Sequence, residues 1–316
     1  MRIVFVGATR FGMRCLELAR SLPGCEVVGV VTAPQTFSIS YRPQGVTNVL
    51  YADVAGYAVA DGLPHVVVAR GMDDPMLFQT VKSWLPDCFL VAGWYHMVPR
   101  AWRALAPAYG MHASLLPDYS GGAPLVWAMI NGEPVTGITL FQMDDGVDTG
   151  PVAGQAEEQI RDDDTIATLY ERIEEKGLTL LKHCLPAMAH GQLHLKPQGV
   201  DGRRVMPQRS PEDGLIHWEW SAKQIDRFIR AQTKPYPGAF SWVGDKKLTI
   251  WSAEQAINPL PPPRASGLVG ASDSDCLVGC ADGWLKLRDV ELNGQPMGSG
   301  ELHSLLAYHA VTKLGQ

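Results

Sequence analysis

The chain opens on an apolar run, Ile3-Val4-Phe5-Val6, closed by Gly7. A run this short and this uniformly apolar reads as a strand buried on both faces, over residues 2–6. Residues 10–22 carry apolar positions at helical spacing, and residues 26–31 form a second apolar run. The alternation then repeats, with a helix over 54–60, a strand over 65–68, a helix over 74–84 and a strand over 88–92. Strands alternating with helices of crossover length predict an α/β domain built on a mostly parallel sheet with helices on both faces. Beyond it come a short helix over 122–130 and strands over 136–143 and 152–159. Asp164 reads as the N-cap of a long helix whose Ile166, Leu169, Tyr170, Ile173, Leu180 and Leu181 share one face.

Two stretches break this rhythm. Residues 33–53 hold Pro34, Pro43 and Gly45, with Tyr41 and Arg42 between, and read as a loop of about twenty residues, a length often kept for function. From 192 to 214 the texture turns to Pro197, Gly199, Gly202, Arg203, Arg204, Pro207 and Pro211, the composition of a linker. Past it, a helix over 222–233 precedes short strands around 241–243, 247–251, 268–269, 276–279 and 284–290, separated by Gly turns. That pattern predicts a small β-barrel. The expected division is a domain over 1–195, a linker over 196–214 and a second domain over 215–316.

Composition narrows the field. The 316 residues are 46% hydrophobic and 19% charged with a formal charge of −6, which suits a globular chain and argues against a partner held by many phosphate contacts. No apolar run approaches the ~20 residues of a membrane span. The amino terminus enters a strand without a signal peptide's layout, so a cytoplasmic location is expected. The six cysteines include no Cys-x-x-Cys pair, and Cys276 and Cys280 have no second pair or nearby His to complete a zinc set, so no metal is expected. The turn Gly7–Gly12 lacks Gly-x-Gly-x-x-Gly spacing and reads as tight packing rather than dinucleotide binding.

Candidate chemistry concentrates in residues 109–150. His112 ends a short apolar run just before Pro117, a placement at a strand's carboxyl end. Asp148 lies in a Gly-bounded turn after the strand-like 137–141. A His that titrates near neutrality beside a carboxylate is an acid/base arrangement. Asp144, Asp145 and Asp148 lack the closing bidentate Glu of a calcium loop, and read as a solvated turn with one catalytic member.

The order His112-Ala113-Ser114-Leu115-Leu116-Pro117, Gly121-Gly122-Ala123-Pro124 and Asp148-Thr149-Gly150 resembles the formyltransferases that use 10-formyltetrahydrofolate. That group includes the methionyl-tRNA enzymes and the formyltransferase half of the UDP-aminoarabinose enzyme. Residues 229–251, with Pro235-Tyr236-Pro237-Gly238-Ala239-Phe240, resemble the carboxyl-terminal module of the sugar-amine members. The resemblance implies a Rossmann-like first domain and an OB-like barrel. It makes His112 and Asp148 catalytic. It places His96, Met97, Val98, Gly122, Asp144, Asp145, Gly146 and Val147 against the folate donor. Trp94, Ser114, Tyr119 and Ser120 are expected on the acceptor side, although the pair Trp94 and Tyr95 taken alone reads as packing.

The pattern is broken in three places. The family's Asn two positions before the His is Gly110 here. Ser114, Ser120 or a backbone amide can take over its role, or the acceptor can be a stronger nucleophile such as a hydroxylamine, or the protein binds without turning over. Relatives commonly carry Arg before the glycine where this chain has Ser120. The loop that is basic in the tRNA enzymes holds only Arg42. The expected function is therefore formyl transfer to an amine or hydroxylamine nitrogen of a small molecule, either a nucleotide-linked amino sugar or an N-hydroxyornithine-type siderophore precursor. Formylation of methionyl-tRNA, a non-catalytic folate- or amine-binding role, and hydrolysis of the formyl donor are the alternatives.

Overall fold

A computed structural model describes residues 1–39, 42–199, 202–256, 261, 263–270, 275–310 and 312–315, with the side chains of residues 39, 42 and 43 excepted. Tyr41, expected in the 33–53 loop, lies outside the described residues. The chain divides into two compact units. The first holds Met1–Pro124, Val135–Gln159 and Glu171–Met206, and the second holds Leu125–Pro134, Ile160–Tyr170 and Pro207–Gln316. In this division residues 196–206 fall with the first unit.

The elements run Arg2–Val6 (β1), Arg10–Ser21 (α1), Glu26–Thr32 (β2), Thr36–Ile39 (β3), Arg42–Thr47 (β4), Val54–Ala60 (α2), His65–Val67 (β5), Pro75–Ser83 (α3) and Cys88–Val91 (β6). Arg100–Leu105 (α4), Ala108–His112 (β7), Ser120–Gly121 (β8), Pro124–Asn131 (α5), Val135–Gln142 (β9), Val152–Gln159 (β10), Ile166–Ala189 (α6) and Val205–Met206 (β11) follow. One seven-stranded sheet takes the order β10-β9-β7-β6-β1-β2-β5. Neighbours from β5 to β7 pair in parallel, while β9 and β10 are antiparallel to their neighbours.

Period-two alternation divides the core. Ile3 and Phe5 point to one face, where they meet Cys15 and Leu16 of α1, Val54 of α2 and Leu181 of α6. Val4 and Val6 point to the other, against Val81 of α3 and Trp102 of α4. Because both faces are covered, the central strands are apolar throughout, as the sequence pattern required. Thr9, Asp53 and Asp74 cap α1, α2 and α3 by accepting from the backbone N–H groups of Gly12, Gly56 and Met76. The strand order turns between β1 and β6, and ligands of such sheets bind beyond the carboxyl ends of the strands near that switch.

The 33–53 stretch is not a structureless loop: β3 and β4 pair antiparallel across it. Alternation in Thr36-Phe37-Ser38 buries Phe37 against Ala8, Ala33 and Tyr95. The short helix α4 lies outside the elements that the apolar pattern predicts. Pro99 stands at its N-cap and Trp102 anchors it. Among the described residues, no helix is long and apolar enough to cross a membrane, and no group of three or more His, Cys, Asp or Glu is placed to hold a metal ion.

In the second unit, Ala222–Arg230 (α7) opens with a capping box between Ser221 and Gln224. A six-stranded antiparallel sheet contains Ala239–Val243 (β12), Lys246–Gln255 (β13), Val269–Gly270 (β14), Leu277–Gly279 (β15), Trp284–Leu292 (β16) and Gln295–Gly298 (β17). Register breaks in β13 on either side of Ser252 mark where the long strand curls. Ile225, Phe228 and Ile229 of α7 pack on Leu248, Ile250, Leu285 and Leu287, and Leu302 and Leu306 of Ser299–Tyr308 (α8) join the same core. The curled sheet is barrel-like, with β17 and α8 added beyond the predicted elements.

Candidate active site

His112 is the last residue of β7, and the antiparallel pairing of β7 with β9 sets Gly110 opposite Phe141 and His112 opposite Thr139. The imidazole Nδ1 lies 3.6 Å from Oδ2 of Asp148, with side-chain exposures of 11% and 20%. Nε2 is 2.8 Å from the Tyr119 carbonyl oxygen. Both ring nitrogens thus lie near oxygen atoms, Nε2 within hydrogen-bond distance and Nδ1 slightly beyond it. The same Asp148 Oδ2 accepts from the Gly121 backbone N–H at 2.7 Å. Among the described residues, no hydrogen bond engages Oδ1. One carboxylate oxygen is therefore committed to the frame, and the other is open to a proton.

Two residues of this floor hold left-handed backbone conformations, Tyr119 at φ 52° and Asp148 at φ 53°. Such conformations cost about 1–3 kcal/mol at non-glycine residues and persist only where the surroundings fix them. Tyr119 is fixed by its N–H, which donates to Asp118 Oδ1 at 2.9 Å. The Arg204 guanidinium also lies 4.3 Å from the centre of its ring. That twist aims the Tyr119 carbonyl at His112. Asp148 is fixed by Gly121 at its carboxylate and by Gln198, whose Nε2 donates to the Asp148 carbonyl at 2.9 Å.

Three expected acceptor contacts are buried rather than presented. Ser114 is 1% exposed and its hydroxyl donates to the Asp118 carbonyl. Ser120 is fully buried and its Oγ accepts from Arg203 Nε at 3.2 Å. The Tyr119 side chain is buried beneath Arg204. These side chains serve the loop itself. Trp94 donates its indole N–H to the Met72 sulfur and packs with His96.

The expected donor contacts divide. His96 lies between the rings of Phe37 and Trp94, 5.3 and 5.2 Å away. Its Nε2 is buried with no hydrogen-bond partner, and desolvation holds the ring below its ordinary pKa. A neutral imidazole with an unused polar atom in an aromatic wall suits a flat heteroaromatic ring. Met97 beside it is exposed, whereas Val98 is buried with its carbonyl taken by Arg103. Asp144 folds its own turn, accepting from the Gly146 N–H and the Thr149 hydroxyl. Asp145 pairs with Arg103 at 2.7 Å, which holds its carboxyl below the usual range, and Arg100 lies 4.0 Å away. Those two carboxylates are therefore occupied within the protein. Val147 is exposed, and Gly122 donates its N–H to Met206.

Gly110 does not leave a hole. A Cβ there would lie 2.6 Å from Met143 Cε and 3.1 Å from Phe141 Cε1. Thioether and ring edge fill the place where the resemblance leads one to expect an Asn side chain. Arg203 brings a guanidinium to the position before Gly121, donating through Nε to Ser120 Oγ. Arg203, Arg204 and Gln198 surround the pair although the sequence pattern does not single them out; the one signal there is the Arg203-Arg204 pair inside a stretch with the composition of a linker.

Comparison with known proteins places the chain. The family described as Formyl transferase matches residues 1–185, and Formyl transferase, C-terminal domain, matches residues 209–303. A methionyl-tRNA formyltransferase of Myxococcus xanthus (strain DK1622) is 33% identical over 299 residues, covering 93% of this chain and 91% of its own. An N-formyltransferase from Helicobacter canadensis, solved with folinic acid and dTDP-3-aminofucose, superimposes with a TM-score of 0.64 at 16% identity, covering 93% of this chain and 99% of its own. HypX from Aquifex aeolicus, solved with tetrahydrofolic acid, gives 0.61 at 18% identity, covering 99% of this chain, which spans 48% of that longer one. At such low identity the two solved structures speak for the fold alone. The two family segments, the first covering more than half of the chain, and a relative one-third identical over nearly its whole length establish that the chain belongs to the formyltransferase family.

Proposed function

We propose that the protein transfers a formyl group from 10-formyltetrahydrofolate to a nitrogen of a small-molecule acceptor. The observation that carries the reading is the His112–Asp148 pair, 3.6 Å apart at the carboxyl end of β7 with one carboxylate oxygen uncommitted. The folate supplies a formyl carbon bound to a nitrogen that leaves once protonated. The acceptor nitrogen bonds to that carbon, the carbon–N10 bond breaks, and one proton passes from acceptor nitrogen to N10, so charge and atoms balance. In this reading Asp148 Oδ1 takes the acceptor's proton. Its Oδ2 orients His112, whose second ring nitrogen can exchange the Tyr119 carbonyl for the developing oxyanion or for the departing nitrogen. His96, with Trp94 and Phe37, is the wall that fits the donor's ring system.

With Gly110 in place of a side-chain amide and Ser114 and Ser120 buried, His112 is the side-chain donor this floor supplies. A strong nucleophile, such as the hydroxylamine nitrogen of an N-hydroxyornithine, suits such a floor. Sequence resemblance in the second unit supports a nucleotide-linked amino sugar instead. Single-turnover assays with the formyl donor and both acceptor classes test the reading. Acceptor-dependent release of tetrahydrofolate is expected, release without acceptor would mean hydrolysis, and no release with any acceptor would leave a binding protein.

Formylation of methionyl-tRNA is the second reading, supported by the Myxococcus relative. Charge weighs against it. Residues 207–316 hold eleven Lys and Arg against twelve Asp and Glu, and residues 33–53 hold one cation, Arg42. Activity on charged tRNA that falls steeply with salt would favour it.

A further inference from the structure

We infer that Gln198 and residues 203–206, lying between the two matched family segments, splint the His112–Asp148 pair, with Gln198 and Arg203 as positioning residues for the formyl transfer proposed above. This inference rests on that proposed reaction for its kinetic consequence, but not for its geometry.

The splint begins as a two-stranded parallel ladder. Ser120 N–H donates to the Arg204 carbonyl at 3.1 Å and Gly122 N–H to the Met206 carbonyl at 2.9 Å. Backbone N–H groups alternate in direction along an extended segment. The Gly121 N–H between them therefore points away from β11, and it is the one that donates to Asp148 Oδ2. Gly121 needs to be glycine: its φ is 93°, and a Cβ would sit 2.5 Å from the Met206 carbonyl oxygen. Arg204 grips the other end. It pairs with both carboxylate oxygens of Asp118 and covers the Tyr119 ring, fixing the residue whose carbonyl meets His112 Nε2.

Asp148 is held from its main chain as well. Gln198 Nε2 donates to the carbonyls of Asp148 and Gly150, at 2.9 and 2.6 Å. Arg203 donates to the carbonyl of Val147 and, through Nε, to Ser120 Oγ. The two residues thus brace three carbonyls of the Asp148 turn, at 147, 148 and 150. A chain that only connected two bodies would have no reason to place its donors on the turn that carries the carboxylate. Misplacement of a catalytic group by about 1 Å can cost 10²-fold in rate, so the splint sets turnover rather than affinity for the donor.

The test uses the full chain with Gln198→Met, which keeps length and removes both donors, and with Arg203→Met and Arg203→Lys. Expected for the two Met variants is a fall in kcat of about 10- to 100-fold with KM for the formyl donor within about 3-fold. Arg203→Lys, which keeps one cationic donor, should recover part of the loss. A readout independent of turnover is the ring-nitrogen resonances of His112 in ¹⁵N-histidine-labelled protein at fixed pH, identified by their loss in His112→Gln. They should move in the Met variants while the unfolding midpoint stays within a few degrees. Unmoved resonances, or native kcat in both Met variants, would overturn the splint. If the native protein shows no acceptor-dependent release but the resonances move, the splint stands and the reaction reading falls. If Gln198→Met does not fold, the Arg203 pair decides the matter.

Discussion

Gly110→Asn installs the side chain that the family resemblance leads one to expect there, and the structure sets its consequence. The new Cβ would stand 2.6 Å from Met143 Cε and 3.1 Å from Phe141 Cε1, against about 3.5–4.0 Å for a relaxed carbon–carbon contact. Met143 must therefore withdraw by about 1 Å, and the ring of Phe141 by less. Adding bulk to a packed site costs about 1–3 kcal/mol. Met143 is half-buried and flexible, which puts the cost at the lower end, about 1–2 kcal/mol. Urea unfolding of the variant should show that loss as a lower midpoint without a change of slope. Met143→Ala removes the clashing methyl, so the double variant should recover about 1 kcal/mol relative to the sum of the single effects. It also carries an amide on the His112 face of β7, and its single-turnover rate should exceed that of Met143→Ala alone. A Gly110→Asn protein as stable as the native one, with no coupling to Met143, would refute the view that packing took over this position.

Other outcomes follow from the same geometry. His112→Ala and Asp148→Asn should each lower turnover by about 10²–10⁴-fold while folate affinity, measured by fluorescence titration, stays within a few fold. The Arg204 hydrogen bond holds the Asp118 carboxyl below its ordinary 3.8. A carboxyl depressed by folding contributes fully above its unfolded pKa and loses that contribution as pH falls through the folded value. Stability measured from pH 6 down to pH 2 should therefore decline more steeply in the native protein than in Asp118→Asn. Arg209 lies 4.6 Å from the Trp127 ring centre and 5.8 Å from that of Phe228, and donates to the Asp213 carbonyl and Gln232 Oε1. Its replacement by Met should cost about 2–4 kcal/mol, read as a lower unfolding midpoint.

The parallel core was legible because its strands are buried on both faces and their apolar runs are continuous, and β10 emerged with the boundaries its pattern predicted. What escaped had weaker local signals. The β3–β4 hairpin is short and carries Pro43 and Gly45, which read as breakers, and its stability comes from Phe37 packing against Ala8 and Tyr95 across the fold. The helix α6 runs through Pro186, a residue that would ordinarily end it. At the candidate site, His112 and Asp148 stood out because their chemistry is in their own side chains. Gln198 and Arg203 did not, because their role comes from reaching main-chain carbonyls 48 to 56 residues away in sequence. No periodicity announces such contacts. Ser114 and Ser120, expected on the acceptor side, are buried and bonded within their own loop, which no local pattern announces.

The decisive measurement is single-turnover release of tetrahydrofolate from 10-formyltetrahydrofolate, with and without acceptor, in the native protein, His112→Ala and Asp148→Asn. Acceptor-dependent release in the native protein that is lost in both variants is the predicted result. Release that persists in either variant at near-native rate would contradict the assignment of the reaction to this pair.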